Sequence, residues 1–123
     1  MTPDANPPLL NLVLLTGRVL RRTNLSRTYK GVPVITLVLE NSETGTADVG
    51  ETHSSTGEIS VEIWGDLAER CDELLKPGEP VFIEAQAAGR QKQDRTTKLV
   101  HHWMVLKARR IELLTKSIEH GGM

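Results

Sequence analysis

The sequence predicts an all-β fold with one helix: a five-stranded barrel whose helix lies between the third and fourth strands. Three observations predict it. Short apolar runs with two-residue alternation recur along the chain, as at Ile59, Val61 and Ile63 and again at Val81, Ile83 and Ala85. A compact helical pattern with its own start and stop signals separates those two runs. At 123 residues and 38% hydrophobic content, the chain supports one domain with one modest core.

The elements follow in order. Residues 1–8 are Pro-rich and polar and read as a disordered arm. Leu9 to Leu20 is the first strand region. Leu12, Leu14 and Thr16 share one face, and Val13, Leu15 and Gly17 the other; both are largely apolar, which predicts cover on both sides. Gly17 predicts a bulge or a tight bend in that strand. Arg21 to Gly31 is a polar connection, punctuated by Gly31 and Pro33. Val34 to Glu40 is the second strand. Residues 41–57, low in apolar content and rich in Gly, Ser and Thr, read as a long mobile loop.

The third strand sets Ile59, Val61 and Ile63 against Ser60 and Glu62. Trp64 falls on the Ser60/Glu62 face, and Gly65 ends the strand. Asp66 with Glu69 makes a capping-box pattern. Leu67, Cys71, Leu74 and Leu75 fall on one face of the helix that follows, and Pro77-Gly78 stops it. Val81 to Ala85 is the fourth strand, Ala88 to Thr97 a polar hairpin loop, and Lys98 to Leu114 the last strand region, broken near Lys107 to Arg110. Residues 116–123 read as a disordered tail, which leaves 9–115 as the folded domain. This order is that of the OB-fold, a five-stranded Greek-key barrel. Another small β-barrel, or an α+β sheet with one helix on one face, competes with it on periodicity alone.

Net charge is −1, so no global pull toward nucleic acid exists. The distribution is uneven. Arg18, Arg21, Arg22, Arg27 and Lys30 occupy a segment without acids, and Tyr29 lies in it. Arg90, Lys92, Arg95 and Lys98 lie in and beside the last hairpin. OB-folds bind nucleic acid with these two loops, so both clusters are candidate contacts. The plain alternative is a pair of solvated turns. The single cysteine, Cys71, rules out an intramolecular disulfide and reads as a small buried hydrophobe, which suits a reducing cytosol. No signal peptide or membrane-length apolar run is visible, so the expected location is cytoplasmic, with the nucleoid.

His101 and His102 are neighbours on a strand, point to opposite faces and cannot chelate one metal together; His53 stands apart, so no metal site is expected. Trp103 shares parity with His101 and Val105 and reads as core or interface packing. No nucleophile, phosphate-cradling glycine loop or metal accompanies the carboxylates Glu62, Glu69 and Glu73, so catalysis is not expected.

Four stretches carry a family resemblance: NLVLLTGRV (Asn11 to Val19), VPVITLVLEN (Val32 to Asn41), ISVEIWGDLAERCDELLKPGEPVFIEAQ (Ile59 to Gln86) and IELL (Ile111 to Leu114). In this order and spacing the chain resembles the bacterial single-stranded DNA-binding proteins, including their dimeric relative, primosomal replication protein N. The aromatic-Gly pair is Trp64-Gly65, and Val81 to Gln86 carries Ala85 where Gly is usual. The resemblance implies an OB-fold that holds single-stranded DNA with little sequence preference in replication, repair or recombination. It also implies a homo-oligomer, dimer or tetramer, working beside replication or repair proteins. Stacking on Trp64, and on Tyr29 in the first loop, with Arg and Lys along the phosphates, is the implied mechanism. The plain reading of Trp64 is a side chain under a loop or in a subunit interface. Several stacking positions of the family are not aromatic here, and the acidic tail ending in Pro-Phe is replaced by His120-Gly121-Gly122-Met123. The competing function is therefore an OB-fold protein-interaction module that has lost most nucleic-acid binding.

Overall fold

The alternation at Ile59, Val61 and Ile63 folds as the end of a longer strand. The computed structural model describes residues 9–46 and 52–115. Its elements are β1 (Val13–Arg22), β2 (Ser26–Arg27), β3 (Pro33–Thr46), β4 (Thr52–Trp64), α1 (Asp66–Cys71), β5 (Pro80–Gln93) and β6 (Val100–Leu113). The five long strands close on themselves. Antiparallel ladders join β1 to β5, β5 to β6, β4 to β3 and β3 to β1, and a short parallel ladder joins β6 to β4. Closure leaves the barrel without a free edge. β2 is a two-residue addition to the start of β3. This is the expected OB-fold, with its helix between the third and fourth long strands.

The core takes one parity of each strand. Ile35, Leu37 and Leu39 of β3, Val61 and Ile63 of β4, and Val81, Ile83 and Ala85 of β5 are buried inside the barrel. Ala68, Cys71 and Leu75 close one end. Burial pushes the Cys71 thiol up, above its ordinary value, as suits an inert packing group. The first strand departs from expectation. Val19 is buried, but Leu14 and Leu20 are exposed, so β1 is covered on one face only.

Gly17 is where β1 changes partners. Residues up to Arg18 pair with β5, and those from Arg18 on pair with β3. A Cβ at position 17 would lie 2.7 Å from the Glu40 carbonyl oxygen, so only glycine lets β3 approach. The bulge itself is at Leu20: Val19 pairs with Leu39, and Arg21 already with Val38. A second bulge explains the break expected near Lys107 to Arg110. Glu84 pairs with Arg110 but Ala85 with Ala108, which leaves Arg109 as the extra residue.

α1 is shorter than its pattern. It ends at Cys71, and Leu75 reaches the core through a turn in which the Leu74 and Leu75 amides both donate to the Cys71 carbonyl. Asp66 does not cap it. Gly65 takes the cap position at φ 68°, a conformation other residues avoid, and Asp66 and Glu69 lie in the first turn.

Two expected loops are ladders. The β3–β4 register runs on from Glu40↔Glu58 to Thr46↔Thr52, so most of 41–57 is a two-stranded hairpin. The β5–β6 register runs from Ala88↔Val105 to Gln93↔Val100, which leaves only residues 94–99 as the turn. The arm at 1–8 and the tail at 116–123 lie outside the described residues. Among those described, no helix is long and apolar enough to cross a membrane.

Candidate nucleic-acid interface

β4 turns Glu58, Ser60, Glu62 and Trp64 away from the core, opposite Val61 and Ile63. Glu62 is the hub of this surface. Its Oε1 accepts a hydrogen bond from Trp64 Nε1 at 3.0 Å and one from Arg90 Nη2 at 2.5 Å. Arg90 Nε donates to Oε2 at 3.4 Å. Lys107 Nζ lies 5.6 Å from the Trp64 ring centroid, within cation–π range. Burial alone would raise the Glu62 carboxyl. The bonds from Arg90 and Trp64, with the charges of Arg90 and Lys107, outweigh it and hold the group below its ordinary value.

Arg90 reaches Glu62 from the arm that β5 and β6 build beyond the barrel. No register shift occurs between Ala85↔Ala108 and Gln93↔Val100. Alternation therefore sorts the arm into two faces. Arg90 opposes Trp103, Lys92 opposes His101, and Lys107 opposes both Gln86 and Glu62. These residues share the face that meets Trp64. The other face carries Gln91, Gln93, Val100, His102 and Met104. Between Trp103 and Lys107, Val105 is buried yet stands outside the interior cluster.

The arm ends in a turn held by Asp94. Its carboxylate accepts from the Thr96 and Thr97 amides at 2.8 and 2.9 Å, and those bonds hold it below its ordinary value. Lys98 takes φ +63° just after them. Arg95 and Lys98 are exposed on this turn, and among the described residues neither they nor Lys92 form an ion pair.

The first cluster is arranged differently. Tyr29 and Lys30 cap a tight turn, in which the Thr28 amide donates to the Val32 carbonyl at 2.9 Å and the Gly31 amide to the Thr28 carbonyl at 2.8 Å. Tyr29 is 95% exposed, with Lys30 Nζ 5.8 Å from its centroid. That turn leads into Pro33 and Val34, and Val34 pairs with Trp64. Arg21 lies on the outer face and pairs with Glu58 at 2.6 Å. Arg18 donates to the Gly78 carbonyl at 3.0 Å, away from Trp64 along β1. Arg22 departs most from the role expected of it. It pairs with Asp72 and donates to the Asp72 and Leu75 carbonyls at 2.6 and 3.2 Å, with its side chain 13% exposed. It ties β1 to the turn after α1.

The structure thus gathers Trp64, Arg90 and Lys92 on one face and sets the Tyr29–Lys30 turn at the strand end beside it. Glu62 is the residue that the sequence reading misses there, and Lys107 is one that it leaves open between the basic face and a subunit contact. The parity shared by Glu62 and Trp64 was the available signal for the first; nothing in the sequence announced the β4–β6 pairing that brings the second. Among the described residues, no cluster of His, Cys, Asp and Glu could hold a metal.

The profile of the single-strand binding protein family matches residues 10–114. The chain belongs to the single-strand binding protein family. This bears out the reading of a binding protein rather than an enzyme. Single-stranded DNA-binding protein 1 of Chlorobaculum tepidum is 31% identical over 88 residues, 72% of this chain and 54% of that protein. The solved single-stranded DNA binding protein of Thermus aquaticus superposes with a TM-score of 0.72 at 25% identity, over 85% of this chain and 50% of that one. The chain thus spans about half the length of these relatives. A Plasmodium falciparum SSB solved in complex with ssDNA shares the fold, with a TM-score of 0.74 at 18% identity over 89% of this chain and 96% of that one.

Proposed function

We propose that this chain binds single-stranded DNA with little sequence specificity and serves DNA replication, repair or recombination. The observation that carries the reading is the sorting of charge on the β5–β6 arm. Arg90 and Lys92 share the face that meets Trp64, and Arg95 and Lys98 extend from its tip. A flat aromatic beside a row of cations suits unpaired bases and their phosphates. Family membership and the named ligand of the relatives support the same ligand here. With few stacking aromatics, phosphate contacts dominate, so affinity falls steeply with salt. The protein works as a homo-oligomer in the cytoplasm, beside the nucleoid; exposed Leu14 on β1 and Leu12 just before it are available to a second copy.

One observation favours the rival, a protein-interaction module. Glu62 already occupies both Trp64 and Arg90, and a carboxylate repels phosphate. A fluorescence-anisotropy titration with labelled oligo(dT) at low and moderate salt, against a duplex of equal length, separates the two. Salt-sensitive binding confined to the single strand is the expected result. No binding at low salt rejects the proposal in favour of the rival.

A further inference from the structure

We propose that Trp103 is a second base-stacking residue, set on the same surface as Trp64, with Arg90 between the two indoles to meet the intervening phosphate. The inference rests on the single-strand reading and names a contact that neither composition nor strand parity assigned. Trp103 is 48% exposed although it is one of only two tryptophans in the chain. A side chain used for core packing would be covered, as Val105 is on the same face. Its cross-strand neighbour is Arg90, whose guanidinium reaches Glu62, which in turn holds Trp64 Nε1. The two indoles thus flank one ion pair, and Lys92 and His101 continue the face toward the tip.

Spacing gives each ring its own base. Lys107 lies over Trp64, and four residues of β6 separate it from Trp103, roughly 13 Å at a strand's rise. That spacing, between backbone positions, sets the two rings against different stretches of β6. It suits two bases of one strand with the Arg90 cation between them. Stacking needs only a π-face, so such a contact adds affinity without sequence preference.

The test uses the two tryptophans as separate reporters. W64F leaves only Trp103 emitting, and W103F leaves only Trp64. Both are titrated with oligo(dT) beside the wild type, with circular dichroism to confirm folding. Quenching in W64F and about tenfold or greater weakening in W103A, largely restored in W103F, are the expected results. If W64F does not fold, the difference between wild-type and W103F quenching gives the same quantity. Binding by W64F without quenching, together with wild-type affinity in W103A, overturns the proposal and leaves the single-strand reading standing. A change of oligomeric mass in W103A without loss of affinity also overturns it, and assigns Trp103 to contact between copies. Absence of binding by the wild type overturns both readings.

Discussion

The β5–β6 arm and the segment from Arg18 to Lys30 look alike as sequence: each concentrates basic residues in and beside a connection. As structure they differ. On the arm, alternation puts Arg90 and Lys92 on one face, and Lys92, Arg95 and Lys98 have no acidic partner among the described residues. In the first segment every arginine is engaged. Arg18 is bound to a carbonyl, Arg21 to Glu58, Arg22 to Asp72 and Arg27 to Glu69 at 2.6 Å. A run of positive charge is therefore no measure of the charge on offer to a ligand. What matters is whether the chain supplies its own acceptor first.

Arg22→Ala breaks the comparison hardest. It strands Asp72 and two carbonyls, at a cost on the order of 2 kcal/mol from lost charge-assisted hydrogen bonds. The urea midpoint falls, while oligo(dT) affinity per folded molecule stays at the wild-type value. An affinity loss without a stability loss would put Arg22 in the binding surface after all. The reverse holds for the arm. Replacing Lys92, Arg95 and Lys98 together by Ala leaves the urea midpoint nearly unchanged. It lowers the slope of log affinity against log salt by about 2 if all three meet phosphates. An unaltered slope would remove the arm's tip from the interface.

Glu62→Gln sharpens the comparison within the arm itself, because Arg90 is the arm residue that does have a carboxylate partner. Freed from it, Arg90 meets phosphate without a competing carboxylate, and single-strand affinity rises severalfold. Weaker binding would mean that Glu62 positions Trp64 and Arg90 for the ligand. The pH dependence has a definite sign. The Glu62 carboxyl is held below its ordinary 4.5, so its contribution to stability is complete above that value and is lost as pH falls through the lower, folded value. Urea midpoints taken below pH 4.5 should fall less steeply in the Gln variant than in the wild type. The smallest effect is at the tip. Asp94→Ala frees the Thr96 and Thr97 amides, which should exchange faster with solvent while affinity changes little.

Much of the barrel was legible. Ile35/Leu37/Leu39, Val61/Ile63 and Val81/Ile83/Ala85 each repeat at two residues because one face is buried, and burial is what period records. The ladders beyond Asn41 and Ala88 were not legible. There each strand keeps one partner instead of two, and the polar runs 41–57 and 88–97 read as loop. The bulge at Leu20 was equally silent, yet it decides that Arg21 goes with outward Val38 and Arg22 with buried Leu37.

The candidate site divides along the same line. Its residue types, Trp64 and the basic hairpin, could be picked from the sequence because chemistry resides in single side chains. Their partners could not. Glu62, Arg90, Trp64 and Lys107 come from three strands, β4, β5 and β6, and meet only because the barrel closes β6 against β4. Local pattern determined the strands, the helix and the order in which they form a barrel. Tertiary structure alone decided which charges are spent and which are exposed, because an ion pair depends on distance across the fold and the sequence records only distance along the chain.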